Sequence, residues 1–242
     1  MPLAVAGSHA DSMMLAGPTN AVARGRALAQ ARAAVTRAQM GEAHVLEVQV
    51  PPRPILRHLL DDGALGRAIV LLERDGEHGR IAVLPRAARG APTIAELMEE
   101  DHRRLDDIAD RMRKNAHIDL MRAVVLANLF AVGITRHVRA EEAILFPAYE
   151  AHLGRGRSST ALMEREHRAI LHYVERLLRA AVRILDARSR DEATEDLLRA
   201  HWGLVGVLAD HNDKEERALF PLLDRMLPEP ERLEVLRRLV LF

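Results

Sequence analysis

Cysteine is absent from the 242-residue sequence. This absence excludes disulfides, thiolate metal sites, iron–sulfur clusters held by cysteine and cysteine nucleophiles. Any metal ion that the protein binds must therefore be held by nitrogen and oxygen atoms.

Long apolar runs and an excess of one charge are missing as well. No stretch approaches the roughly 18 apolar residues of a membrane helix. The N-terminus carries His9 and Asp11 where a secretory signal would be apolar. The 35 basic and 35 acidic residues balance and alternate along the chain, which favours neither a nucleic-acid partner nor a membrane surface. We therefore expect a cytoplasmic, globular protein, and the 48% apolar composition is enough for a core.

Four long amphipathic segments follow one another from about residue 91. Breakers between them predict helices over residues 93–114, 118–153, 159–188 and 191–227, with a short terminal helix over residues 231–242. Thr93 and Glu96 form a capping-box pattern at the first helix. Because the connections are short, neighbouring helices should be antiparallel, which predicts an up-down-up-down four-helix bundle.

The first ninety residues have a different pattern. Residues 19–40 favour a helix, residues 44–50 and 67–75 have strand composition, and GEHG before RIAVLP indicates a hairpin. PILRHLLDD between the strands fits a short helix. The predicted fold is thus mainly α, with a helix and small α+β module of unknown role in residues 1–90, the linker PRAARGAP, and the bundle in residues 91–242.

One frame, HxxxEExxLFP, occurs twice, starting at His137 and 74 residues later at His211. Residues four apart share one face of a helix. His137 with Glu141, and His211 with Glu215, therefore each point an imidazole and a carboxylate in the same direction, on the apolar side of the helix.

A second repeat pairs MEEDHRRL with MEREHRAI and places His102 on the first helix and His167 on the third, 65 residues apart. The repeated unit is a helical hairpin with one histidine on its first helix and HxxxE on its second. Two hairpins then offer six ligands, and a structural polar network is the alternative to a metal site. The candidate ligands are His102, His137, Glu141, His167, His211 and Glu215.

Six nitrogen and oxygen ligands suit a pair of divalent ions such as iron, with manganese and zinc as competitors. Two facing glutamates can bridge two ions, and each imidazole then needs an acceptor for its other nitrogen. Three acidic residues, Asp101, Glu166 and Asp210, precede candidate histidines and are at best such outer partners. If a seventh ligand exists, the candidates are His117 and His172.

At these motifs the sequence resembles the hemerythrin-like, HHE-type cation-binding domains, over about residues 93–227. The resemblance implies a four-helix bundle that holds two iron ions, joined by an oxo or hydroxo bridge, on the six residues above. It also implies that Glu141 and Glu215 bridge the ions. Oxygen-carrying hemerythrin has a further histidine where this chain has Leu171, so the site should be more open than a reversible carrier needs.

The expected function is a non-haem di-iron protein that engages O2, NO or peroxide in sensing, scavenging or stress protection. An iron- or oxygen-responsive module that acts on a protein partner through residues 1–90 is an alternative. The sequence also resembles bacterial iron-centre repair proteins, but their N-terminal cysteine is missing. Ferritin-like proteins use ExxH spacing and zinc hydrolases use HExxH, and neither pattern fits this chain.

Overall fold

The computed structural model describes residues 18–87, 90–153, 159–186 and 190–242. The predicted mainly α fold, with a helical bundle and a small α+β module, is confirmed. Residues 1–17, residues 88–89 of the linker, residues 154–158 of the loop before the third predicted helix, and residues 187–189, which include the predicted end of that helix, lie outside the described residues.

In the N-terminal module, the described residues form two α-helices, a short 3-10 helix at Ala64–Gly66 and a three-stranded antiparallel sheet with the order β1-β3-β2. Every element predicted there is present. The glycine after β2 explains the hairpin signal, because Gly76 has a φ of 109°, a conformation that favours glycine. The elements are α1 (Pro18–Ala38), β1 (His44–Val48), α2 (Pro52–Asp61), β2 (Ile69–Arg74) and β3 (Gly79–Leu84).

The bundle consists of two helical hairpins. The first hairpin is α3 (Ile94–Asn115), α4 (Leu120–Ala140) and α5 (Phe146–Leu153). The second hairpin is α6 (Ser159–Asp186), α7 (Arg190–Lys214) and α8 (Phe220–Met226), and α9 (Glu229–Leu241) follows it.

The second and fourth predicted helices each contain one π-helical turn, at Glu141–Leu145 and Glu215–Leu219. A Phe-Pro pair follows each turn, and proline has no N–H and clashes with the carbonyl four residues earlier. The wider turn avoids this conflict: the Phe146 N–H donates to the Glu141 carbonyl, five residues back. The prolines therefore open their helices locally, directly after the candidate glutamates.

The start of α3 is fixed by two carboxylates and a hydroxyl. Thr93 accepts from the Glu96 N–H, and the Glu96 side chain accepts from the Thr93 N–H, so the predicted capping box is confirmed. Asp224 from α8 accepts from the N–H groups of Ile94 and Ala95 at 2.7 and 3.1 Å. The end of the second hairpin thus holds the beginning of the first.

Two hydrophobic clusters fill the interior, one at each end of the bundle. The module, α9 and the adjoining end of the bundle share the first cluster, which contains Leu71, Leu97 and Phe220. The second cluster, with Leu105, Phe130 and Ile170, fills the other end. Because the first cluster crosses from the module into the bundle, the division into two domains at residue 90 stays a prediction.

Within the described part of the chain, one helical stretch, Leu120–Leu153, is long and apolar enough by length and composition to cross a membrane. Half of its most apolar window is buried inside the protein. A core helix of a bundle has the same composition, so this stretch is weak evidence for a membrane segment.

Candidate metal centre

The six residues predicted from the repeated motifs meet in the interior of the bundle. Each hairpin contributes one histidine from its first helix, and a histidine and a glutamate from its second. All six side chains are buried, none being more than 3% exposed. They lie between the two hydrophobic clusters, where polar groups need partners of their own.

The six residues form two groups that share both glutamates. One group is His102, His137, Glu141 and Glu215, and the other is His167, His211, Glu141 and Glu215. In each group, one nitrogen or oxygen atom per residue lies within 4.8 Å of all the others. Donor atoms about 2.0–2.2 Å from one ion lie about 3–4.3 Å from each other, so each group has the size of a coordination shell.

Each glutamate directs one oxygen atom to each group. Glu141 places Oε1 at 3.4 Å from Nε2 of His137 and Oε2 at 3.2 Å from Nε2 of His167. Glu215 places Oε2 at 3.5 Å from Nε2 of His102 and Oε1 at 3.0 Å from Nε2 of His211. This is the arrangement that two bridging carboxylates require.

The unpaired atoms of the centre fit a cation better than a polar network. The glutamate oxygens are close to imidazole nitrogens, but the angles do not make hydrogen bonds, and six buried atoms remain without a hydrogen-bond partner. Each such atom costs about 1–3 kcal/mol in an ordinary interior. The atoms are Oε1 and Oε2 of Glu141, Oε1 and Oε2 of Glu215, and Nε2 of His167 and His211.

The other two histidines are in mutual contact, with 2.9 Å between Nε2 of His102 and Nε2 of His137. A hydrogen bond between these two nitrogens would satisfy that pair alone. The same separation is expected of two neighbouring ligands on one ion. A cation would satisfy all of the converging atoms at once.

A carboxylate accepts a hydrogen bond from the outer nitrogen, Nδ1, of every histidine in the centre. These bonds fix the ring orientation and leave each Nε2 lone pair directed inward. The pairs are His102 with Glu216 (2.7 Å), His137 with Asp101 (2.9 Å), His167 with Glu142 (2.9 Å) and His211 with Glu166 (3.1 Å).

A family model, the hemerythrin HHE cation binding domain, matches residues 93–237. The chain belongs to the hemerythrin HHE family. The resemblance inferred from the repeated motifs is therefore confirmed, and the hemerythrin domain binds metal cations. Neither the curated proteins nor the solved structures gave a match.

The outer carboxylates of this hemerythrin domain were only partly foreseen. Asp101 and Glu166 have the outer-partner role that was considered for them, whereas Asp210 is exposed and is not one of the four acceptors. Glu142 and Glu216 were missed. A sequence feature could have identified them, because both are the second glutamate of the repeated HxxxEE frame.

Two outer carboxylates are themselves paired with cations. Arg104 donates to Asp101, and Lys214 donates to Glu166. Asp101 is partly buried, which by itself would raise its pKa, but its hydrogen bond with His137 and the nearby Arg104 lower the pKa well below the usual range. Asp101 is therefore a permanent anion facing His137.

Without a cation, neighbouring groups favour the charged forms of His137, His167 and Glu215. Burial alone would lower the pKa of His167, yet the neighbouring carboxylates of Glu141, Glu215 and Glu142 raise that pKa to about 10. The pKa of His137 is raised well above 6.5 in the same way, against burial, by Glu141 and Asp101. Burial would raise the pKa of Glu215, but its histidine neighbours lower it well below 4.5. In the metal-free centre, the imidazolium forms of His137 and His167 thus lie close to the carboxylate of Glu215.

The remaining candidates are placed outside the centre. His117 and His172, considered as a seventh ligand, are exposed and belong to neither group. His201 is buried elsewhere in α7, where burial and Arg113 lower its pKa.

The phenylalanines of the two LFP sequences form walls of the centre. The Phe146 ring stacks on His167 with centroids 5.3 Å apart, and the Phe220 ring lies 5.7 Å from the ring of His102. Each hairpin thus shields a histidine of the other hairpin from solvent.

Proposed function

We propose that this hemerythrin domain binds two iron ions on the six buried residues and uses them to engage O2, NO or peroxide in sensing, scavenging or stress protection. The observation that carries the proposal is the sharing of Glu141 and Glu215 between two ligand groups. A single-ion site would use one group and leave the other's nitrogen atoms unpaired.

On binding metal, the chain would supply four neutral imidazoles, each held in one orientation by its outer carboxylate. A histidine that donates its Nδ1–H keeps the lone pair of Nε2 for a metal ion. Imidazole and carboxylate ligands without thiolate suit borderline divalent ions, and iron is the one of these that exchanges electrons with O2, NO or peroxide when bound.

The number of ligand atoms in each group leaves coordination positions free for a small molecule. Each group offers four donor atoms, two from histidines and two from the shared glutamates. An ion that prefers six ligands therefore keeps about two positions that protein side chains do not fill. The apolar clusters on both sides keep bulk water away from these positions.

The test is the iron content of variants that lose a shared oxygen. Glu141→Gln and Glu215→Gln keep the side-chain volume but remove the negative charge, so we expect each to hold fewer than two irons per chain. Glu164→Gln is the control, because Glu164 is exposed on α6 two residues from Glu166. Two irons per chain in both centre variants would disprove the shared-glutamate assignment.

The reaction partner is tested on the reduced, iron-loaded protein under anaerobic conditions. O2, NO and hydrogen peroxide are added separately, and the optical spectrum is recorded after each addition. The molecule that changes the spectrum at the lowest concentration is taken as the reaction partner. A spectrum that none of the three changes would contradict the proposed function.

A second candidate function is iron- or oxygen-responsive regulation through the N-terminal module. It is favoured by one contact: Leu71 of β2, with Leu239 and Val240 of α9, borders a small space that His137 also lines. A change at His137 would reach the module through these side chains. Hydrogen exchange in β2 and α9 should then slow when iron binds, and identical exchange with and without iron would refute regulation by this route.

A further inference from the structure

The spaces beside the metal centre at equivalent positions of the two hairpins differ in volume and in the residues that cover them. In the first hairpin, Leu97 and Met98 line a space of only about 20 Å³ next to His137. The side chains of Leu71 and Leu239 close it from outside. Leu97 is 5% exposed as a result.

The second hairpin has the same residues 65 positions later, Leu162 and Met163, but they line a cavity of about 180 Å³. Leu162 is 42% exposed. Among the residues that the structure describes, none from the module or α9 borders this cavity. No described residue of the module or α9 therefore covers the part of the second hairpin that corresponds to the covered face of the first.

One departure from the sequence repeat enlarges the cavity. Ile144 in the first π-turn is buried, and the residue 74 positions later is the small, exposed Ala218, which lines the cavity. The repeat otherwise keeps the glutamates, leucine, phenylalanine and proline of this frame. The loss of an isoleucine side chain thus opens space at one metal group and not at the other.

The cavity reaches the neighbourhood of the His167 and His211 group. Phe146 lines it and stacks on the His167 ring. Lys214 also lines it and donates to Glu166, which accepts from His211. A molecule in the cavity is therefore separated from His167 by a single aromatic ring.

The lining favours small, uncharged and weakly polar molecules. Most of it is apolar, and two of its polar groups are already engaged, Lys214 with Glu166 and Thr160 with Glu150. Water and hydrogen peroxide would lose hydrogen bonds on entering such a space, whereas a diatomic gas loses none. Dry apolar cavities of similar size bind xenon.

We infer that the cavity beside the second hairpin is the access route by which a small uncharged diatomic molecule reaches the His167 and His211 half of the centre. The inference rests on the proposed function and makes it narrower. It assigns O2 or NO, and not peroxide, to this route, and it makes the two metal positions inequivalent.

The first experiment uses xenon on the metal-free protein, so that its result does not depend on iron. Ala218→Ile restores the side chain of the first repeat and should fill the cavity. We expect saturable xenon binding, measured by xenon NMR, in the wild-type protein and its loss in Ala218→Ile. Ala143→Ile is the control, because Ala143 is exposed in the other π-turn and lines neither space.

The second experiment measures reaction rates of the reduced, iron-loaded proteins. Ala218→Ile should associate with NO several-fold more slowly than the wild type and the Ala143→Ile control, with unchanged iron content and unchanged peroxide rate. The inference is overturned if Ala218→Ile keeps xenon binding, or if NO and peroxide slow equally. A failure of the proposed function would look different from a failure of this inference. The wild type would then bind no pair of irons or no NO, while its metal-free form still bound xenon.

Discussion

Glu142 Oε1 accepts a hydrogen bond from His167 Nδ1 at 2.9 Å, although the two residues belong to different hairpins. The reciprocal bond joins Glu216 to His102 at 2.7 Å. In contrast, Asp101 and Glu166 bond to histidines of their own hairpins. Both hairpins are therefore needed to orient the ligands of either group.

Removing the charge of the cross-hairpin carboxylates should weaken metal binding. Glu142→Gln and Glu216→Gln each leave a histidine without its anionic acceptor, and we expect iron affinity to fall about 10–100-fold. Competition with a chelator measures the affinity. Glu164→Gln again serves as the control, and equal affinity in all three variants would show that these carboxylates do not support the ligands.

The stability of the metal-free protein should fall as the pH rises from about 6.5 to about 10. The pKa values of His137, His167 and His211 are raised in the folded state, that of His167 to about 10, by their carboxylate partners and against burial. Such groups stabilise the fold fully below their unfolded pKa, and this contribution is lost as the pH rises through the folded pKa. Thermal unfolding across this range is the measurement.

Metal binding should reverse this trend, because imidazoles must be deprotonated to bind an ion and binding then releases protons. The melting temperature of the anaerobic ferrous protein should therefore exceed that of the metal-free protein by a margin that grows with pH. A metal-free protein that becomes more stable over this range would contradict the charge assignment.

The cover over the first hairpin should contribute to the stability of the whole chain. Leu71 is 5% exposed and packs between the module and the bundle, so Leu71→Ala should cost about 2–5 kcal/mol of unfolding free energy. Leu46→Ala in β1, where the side chain is only partly buried, should cost less. Urea unfolding compares them, and an equal or smaller cost at Leu71 would argue against a shared core.

The capping of α3 can be tested in the same assay. Thr93→Ala removes the acceptor for the Glu96 N–H and should cost about 0.5–2 kcal/mol. Thr36→Ala is the control, because the Thr36 hydroxyl is exposed and donates only to a carbonyl of its own helix. We expect the control to lie within about 0.5 kcal/mol of the wild type, and an equal cost for both variants would reject the cap.

Local sequence alone determined the helices, the capping box and the six residues of the centre. A spacing of four residues fixes which side chains share a helix face, and the duplicated frame identifies the faces that meet. The 65- and 74-residue repeats therefore predicted His102, His137, Glu141, His167, His211 and Glu215 without coordinates.

Only the tertiary structure decided which groups contact each other across the hairpins. The bonds of Glu142 to His167 and Glu216 to His102 depend on the packing of helices far apart in sequence, which no local period encodes. Long-range packing also places Leu71 over the first hairpin. The small side chain of Ala218 leaves a cavity because no described residue of the module fills that space. Periodicity specifies the face that a side chain occupies, whereas long-range packing specifies its neighbours.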